Sequence, residues 1–75
     1  MPNILQDSLQ AEELYCLGLD AFKATDYNTA VRLWKRAAKM GHADAQCNLG
    51  SCYFSGTGVS VNYGKASDWY GKAAR

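Results

Sequence analysis

Residues 45–74 read AQCNLGSCYFSGTGVSVNYGKASDWYGKAA, and the spacing of their small and aromatic residues occurs a second time in the chain. The Leu49-Gly50 pair has an earlier counterpart in Leu17-Gly18. The other matched positions, first copy to second, are Phe22 and Phe54, Ala30 and Ala66, Trp34 and Tyr70, and Ala37-Ala38 and Ala73-Ala74. One such unit cannot bury its own apolar face and must stack on a neighbour. The repeat therefore indicates a stacked array that presents a binding surface, and not an enzyme.

Length and charge restrict the classes of function. The 75 residues are enough for one small domain, near the size at which a single core supplies only ~3–5 kcal/mol. Lys and Arg are spread evenly among Asp and Glu along the sequence, and the net charge is +1, so no basic stripe is expected. A phosphate backbone is bound by such a stripe. We therefore expect no nucleic acid partner.

Targeting signals and cysteine content indicate the compartment. No apolar run approaches the roughly 20 residues of a membrane-spanning helix, and the first residues lack the features of a signal peptide. We therefore expect a cytoplasmic protein with no membrane partner. Cys16, Cys47 and Cys52 are an odd number, so at least one thiol stays unpaired in a monomer, and reduced thiols are the simpler reading.

Helical spacing of apolar residues predicts an all-α fold with four helices. They are expected from near Ser8 to Thr25, from Tyr27 to Met40, from about Ala43 to Phe54, and after Asn62 through Arg75. A capping box of Asp7 and Gln10 is expected at the first helix, and Asp26 and Asn62 are the expected caps of the second and fourth. Gly41 is expected to end the second helix in the left-handed conformation.

Small residues predict where the helices come close. The core stripe of the first helix is expected to be Leu14, Leu17, Gly18 and Ala21. Gly18 and Gly50 cost about 1 kcal/mol each relative to Ala in a helix, so we expect them to permit close approach of the second helices at Ala30 and Ala66. Positive φ is expected in the loop at Gly56 and Gly58, with Val59 and Val61 packed between helices.

The second unit carries one pattern almost without interruption: Ala45, Leu49-Gly50, Tyr53, Gly56-Thr57-Gly58-Val59, Lys65-Ala66, Trp69-Tyr70 and Lys72-Ala73-Ala74. It resembles the Sel1-like repeat family, which is related to the tetratricopeptide repeat. The first unit lacks four loop residues between Gly18 and Ala30, and its spacing is tetratricopeptide-like. We place one domain over residues 1–75, with a first unit at about 11–42 and a second at about 43–75.

The resemblance implies two antiparallel helix hairpins stacked as a short right-handed α-solenoid, with a concave face that binds a protein or peptide. On that analogy and on helical geometry, the first helix of each unit supplies the contact residues. They are Glu12, Tyr15, Leu19 and Lys23 in one stripe, and Asp44, Cys47, Ser51 and Ser55 in the other. Tyr15 and Leu19 are apolar but lie outside the core stripe. What covers them is left open between three alternatives: a peptide ligand, the N-terminal residues Ile4 and Leu5, or another helix.

Residues with catalytic or metal-binding chemistry are few. Cys16, His42, Cys47 and Cys52 are the soft metal ligands, but Cys47 and Cys52 project about 140° apart on one helix. His42 is expected to be an exposed turn residue without an orienting carboxylate. We therefore expect no metal, no cofactor and no catalytic residue. A cysteine-dependent enzyme is a distant alternative.

The fourth helix is expected to expose Trp69, Tyr70 and Ala73. Solenoids need a cap over such a face. Three alternatives are open for what covers this face of the fourth helix: further repeats of a longer array, self-association, or a fold-back of the N-terminal residues. Two functions follow: a non-catalytic interaction scaffold that binds through its concave face, or a capping or oligomerisation module that forms a homo-oligomer through its C-terminal helix.

Overall fold

The computed structural model describes the backbone from residue 4 to residue 75 and the side chains from Gln10 onward. This part of the chain forms four helices and no strand, so the all-α prediction is confirmed. The helices are α1 (Ile4–Lys23), α2 (Tyr27–Lys39), α3 (Ala43–Ser55) and α4 (Tyr63–Ala73). Each packs against the next along the chain, with α2 held between α1 and α3. Short connections make such neighbours antiparallel.

The caps of the later helices confirm most of the expected boundaries. Asp26 accepts a hydrogen bond from the Thr29 amide at 3.3 Å, and Asn62 accepts one from the Lys65 amide at 3.0 Å. Gly41 has φ of 90°, as expected after α2. These side chains and backbone conformations satisfy groups that a helix end leaves unpaired.

The beginning of α1 differs from the prediction. The helix begins at Ile4, so the predicted start near Ser8 is wrong, and Asp7 lies inside the helix instead of forming a capping box with Gln10. The reason is that Pro2 is the only proline, and a strong helix breaker is therefore absent between Ile4 and Ser8. The contacts of the Ile4 and Leu5 side chains lie outside the described residues.

The core is centred on α2 and the helices on either side of it. Its buried apolar residues are Ala11, Leu14, Ala30, Val31, Trp34, Ala37, Ala38, Ala45, Leu49, Cys52, Tyr53 and Ala66. At the join between the two hairpins, the Gln46 side-chain amide donates to the Ala38 carbonyl at 3.0 Å. That bond satisfies a buried polar group whose desolvation otherwise costs about 1–3 kcal/mol.

The sequence predicted Leu17 as a core residue, and this prediction is wrong. Its side chain is 49% exposed, whereas the matched Leu49 is fully buried. The difference has a geometric cause, because α3 packs against α2 as well as α4, while α1 packs against α2 and no second helix in the described chain lies on its other flank. The same residue type at the same repeat position is therefore covered in only one unit.

The two hairpins repeat each other in detail. Phe22 lies against Tyr27 with ring centroids 4.9 Å apart, and the matched Phe54 lies against Tyr63 at 5.4 Å. Trp34 lies over Gly18, and Tyr70 lies over Gly50. The expected partner Ala66 does approach Gly50 through its carbonyl, and the atoms nearest to a Cβ on Gly18 all belong to the Trp34 ring.

The loop between α3 and α4 is fixed by its glycines. Gly56 and Gly58 have φ of 75° and 73°, as expected. A Cβ on Gly58 would lie 2.6 Å from the Tyr27 carbonyl oxygen, so the loop lies directly on the start of α2. Val59 packs against the core, whereas Val61 is half-exposed, so the expectation of a packed Val61 is wrong.

Candidate functional site

An open groove of about 220 Å³ lies between α1 and α3, with part of α2 as its floor. Its apolar residues are Leu19, Phe22, Trp34 and Cys52, and its polar residues are Asn48, Ser51, Ser55 and Thr57. Leu19, Ser51 and Ser55 belong to the stripes that the sequence predicted as contact residues. The first helices of the two units therefore form opposite walls of one depression.

The hydroxyl groups of the groove are held by hydrogen bonds. Ser51 Oγ lies 2.7 Å from the Tyr70 hydroxyl. Ser55 Oγ donates to the Ser51 carbonyl at 3.0 Å and lies 2.7 Å from Thr57 Oγ1. Each hydroxyl keeps a further lone pair or proton available. The polar side of the groove is thus ordered and still able to bond to a ligand.

His42 joins the middle of α1 to the start of α3. Its Nδ1 accepts from the Ala45 amide at 3.1 Å, which makes it the N-cap of α3. The ring proton is therefore on Nε2, which donates to Glu12 Oε1 at 2.7 Å. The ring also stacks on Tyr15, with centroids 4.7 Å apart. The predicted exposed turn histidine is thus wrong, because this side chain is only 14% exposed and bridges two helices.

The predicted contact residues fall into three groups. Glu12 and Tyr15 lie at the His42 bridge, and Leu19, Ser51 and Ser55 line the groove. Lys23, Asp44 and Cys47 are exposed and do not line it. Sequence reasoning missed the other five lining residues, which are Phe22, Trp34, Asn48, Cys52 and Thr57. Asn48 was detectable, because it lies one helical turn before Ser51 on α3.

Two of the three thiols, those of Cys16 and Cys52, have a raised pKa. Burial raises the pKa of the Cys52 thiol. Desolvation, with a further contribution from the nearby Glu12 and Asp20 carboxylates, raises the pKa of the Cys16 thiol. A raised pKa leaves less of the reactive thiolate. Among the described residues, no three His, Cys, Asp or Glu side chains converge on a point where a metal ion would fit.

Charge is segregated in the fold although it is evenly spread along the sequence. α2 and α4 carry six Lys or Arg and one acidic residue, whereas α1 and α3 carry five acidic residues and one lysine. The expectation that no basic stripe exists is therefore wrong. The sequence hid it because acidic first helices alternate with basic second helices. The absence of a nucleic acid partner stays a prediction.

The residues predicted for self-association differ in exposure. Trp69 and Ala73 are half-buried, and Tyr70 is 38% exposed. In the first unit, the matched Trp34 is buried against α1, and the matched Ala37 is buried near the end of α2, next to its junction with α3. The face of α4 that corresponds to this junction is therefore partly open to solvent.

No helix in the described part of the chain combines the length and apolarity that crossing a membrane requires. The family model of the Sel1 repeat matches residues 5–42 and again residues 43–75. The chain is also similar to the uncharacterized protein NMB1327 of Neisseria meningitidis serogroup B, with 45% identity over 38 residues. That match covers 51% of this chain and 8% of that protein.

Proposed function

Because the chain belongs to the Sel1 repeat family, whose repeats mediate protein–protein interactions, we propose that it binds a segment of another protein in the groove between α1 and α3. The module does no chemistry of its own. The observation that carries this proposal is the groove itself, which has an apolar floor and an ordered row of hydroxyls on one wall.

The size and chemistry of the groove favour a peptide over a small molecule. Pockets for small ligands usually enclose about 300–1,000 Å³, whereas this depression is open and holds about 220 Å³. An apolar side chain of a partner would fill the floor between Leu19 and Trp34. The partner's backbone amides and carbonyls would then bond to Ser51 and Ser55.

The non-catalytic character is supported by the state of the reactive groups. His42 is committed to the cap of α3 and to Glu12. Cys52, the thiol that lies in the groove, is buried and has a raised pKa. A thiol nucleophile is activated by an adjacent base or by a lowered pKa. The Cys16 thiol donates to Glu12 Oε2 at 3.8 Å, but its pKa is raised, and among the described side chains His42 bonds to none of the cysteines.

Selection of binders from a random peptide library tests the proposal. A selected peptide is titrated against the wild type, Ser51→Arg and the matched control Ser67→Arg. Both serines are exposed on helices, but only Ser51 lines the groove. We expect Ser51→Arg to weaken binding at least about tenfold, or about 1.4 kcal/mol, and Ser67→Arg to leave it unchanged. Equal affinity of all three proteins would refute the proposal.

A second candidate function is self-association through α4, with Trp69, Tyr70 and Ala73 in the contact. It is favoured by one observation: Ala38 is buried at the junction of the hairpins, whereas the matched Ala74 is exposed. Light scattering at increasing concentration tests it. A dimer that Trp69→Glu converts to a folded monomer would support self-association, and a monomer at all concentrations would exclude it.

A further inference from the structure

A second depression, of about 280 Å³, lies on the side of the second helices. We call it the lysine groove. Its walls carry Lys35 and Lys39 from α2, and Lys65, Asp68 and Lys72 from α4, and the aromatic residues Tyr53 and Trp69 lie between them. Four lysines and one aspartate give the groove a net charge of +3. It shares no residue with the groove between α1 and α3.

The lysines of this groove form no ion pair with the side chains that the structure describes. Among the side chains from Gln10 onward, the only ion pair within 4.0 Å is the one between His42 and Glu12. Asp68 therefore neutralises none of the four lysines by direct contact. α2 contains no acidic residue at all, and like charges four positions apart, such as Lys35 and Lys39, destabilise a helix. An anionic partner would relieve this repulsion.

The helix dipole explains the positions of only two of the four lysines in the lysine groove. Basic residues in a last turn are favoured by the dipole, and this explains Lys39 and Lys72. Lys65 lies in the first turn of α4, where the dipole disfavours a cation. Lys35 lies before the last turn of α2. The helix dipole therefore does not explain the positions of these two lysines.

The basic surface also extends beyond the groove. A neighbouring depression on α2 is lined by Arg32, Arg36 and Lys35, and Lys35 belongs to both depressions. Residues 32–39 of α2 thus carry four basic charges over about 10 Å of helix. A bound segment of several residues would contact all of them, which a single small anion would not.

We propose that the lysine groove binds an acidic segment, rich in Asp and Glu, of a partner protein. The aromatic residues favour a protein over a single-stranded nucleic acid, which stacks its bases on free aromatic faces. Here the Lys72 Nζ lies 4.4 Å from the centre of the Trp69 ring, and the Lys65 Nζ lies 5.4 Å from the centre of the buried Tyr53 ring. In addition, Asp68 lines the groove and would accept hydrogen bonds from the backbone N–H groups of a bound peptide, which are donors that a phosphodiester backbone lacks.

The test is titration of the full chain, labelled with ¹⁵N, by a blocked decaglutamate peptide at low salt. We expect the peptide to shift amide signals in α2 and α4. The double substitution Lys39→Glu with Lys72→Glu is expected to weaken binding at least about tenfold, because it turns two attractive charge contacts into repulsive ones. The matched control is Lys23→Glu, which makes one such charge change at the end of α1. The amide spectrum of each variant verifies that it is folded, and Lys39→Glu with Lys65→Glu replaces the first pair if that pair unfolds.

Three results would overturn the proposal. The first is the absence of amide shifts in α2 and α4. The second is a loss of affinity in Lys23→Glu that equals the loss per substituted lysine in the groove variants. The third is tighter binding of a ten-residue oligothymidylate than of decaglutamate, which would assign the surface to nucleic acid. Because this surface is separate from the groove between α1 and α3, either proposal can fail without the other.

Discussion

The indole ring of Trp34 lies over Gly18, and its Nε1–H donates to the Tyr15 carbonyl at 3.1 Å. A carbonyl inside α1, which already takes part in the hydrogen bonding of that helix, thus accepts a second hydrogen bond from a side chain of α2. The contact exists only because residue 18 has no side chain. It places the Trp34 ring between the two helices, where the ring also lines the groove between α1 and α3.

Gly18→Ala is expected to lower the free energy of unfolding by about 2 kcal/mol. The added methyl overlaps the Trp34 ring, and overpacking costs about 1–3 kcal/mol. Loss of the indole hydrogen bond adds about 1 kcal/mol, and the better helix propensity of Ala returns about 1. Urea unfolding measures the change.

Gly71→Ala is the matched control for that substitution. Gly71 also lies inside a helix, but a Cβ there meets nothing within 4 Å. Only the helix propensity changes, so we expect a gain of up to about 1 kcal/mol. Equal effects of the two substitutions would show that the Trp34 contact does not restrict residue 18.

Trp34→Phe is expected to make Gly18→Ala less harmful. The smaller ring gives the new methyl group room, and the indole bond to the Tyr15 carbonyl is already absent. Residues in contact show interaction free energies of about 0.5–3 kcal/mol in double-mutant cycles. A cycle of unfolding free energies that is additive within error would contradict direct contact between the ring and residue 18.

His42→Ala and His42→Asn separate the two roles of the histidine. Loss of an N-cap costs about 1 kcal/mol, and Asn restores the cap but not the contacts with Glu12 and Tyr15. We expect Asn to recover most of the stability lost in the Ala variant, because Glu12 is well exposed and exposed ion pairs contribute about 0–1 kcal/mol. Thermal unfolding gives both values, and an Asn variant as unstable as the Ala variant would assign the effect to the bridge.

Alkylation with iodoacetamide is expected to distinguish the three cysteines. Cys52 is buried and its pKa is raised, so it should react slowest in the folded protein. Cys16 is exposed, but its raised pKa means that its thiolate fraction and rate keep increasing with pH above 9.0, the ordinary value. Peptide mass spectrometry follows each site. A Cys52 that reacts as fast in the folded protein as in urea would contradict the buried position.

The sequence was sufficient to predict the elements that depend on local chemistry. The Asp26 and Asn62 caps, the left-handed Gly41 and the loop glycines all follow from residue type and nearby spacing. The repeat pattern likewise predicted that the helices form a stacked array, because each hairpin must bury a face on its neighbour.

Features that depend on the stacking were not predictable from one unit. Leu17 and Leu49 occupy equal repeat positions, and only the neighbour of α3 decides which is buried. The role of His42 requires Glu12 and Tyr15, which are remote in sequence and adjacent in space. The lysine groove exists because residues of α2 and α4, separated by a whole helix in the chain, meet on one side.

The proposal of a peptide-binding groove is tested most sharply by the amide and indole shifts of the labelled protein with a selected peptide bound. We predict that the largest shifts occur at Ser51, Ser55 and the Trp34 indole N–H, whose hydrogen bond lies beneath the groove. Shifts confined to α2 and α4, with the Trp34 indole signal unmoved, would contradict it.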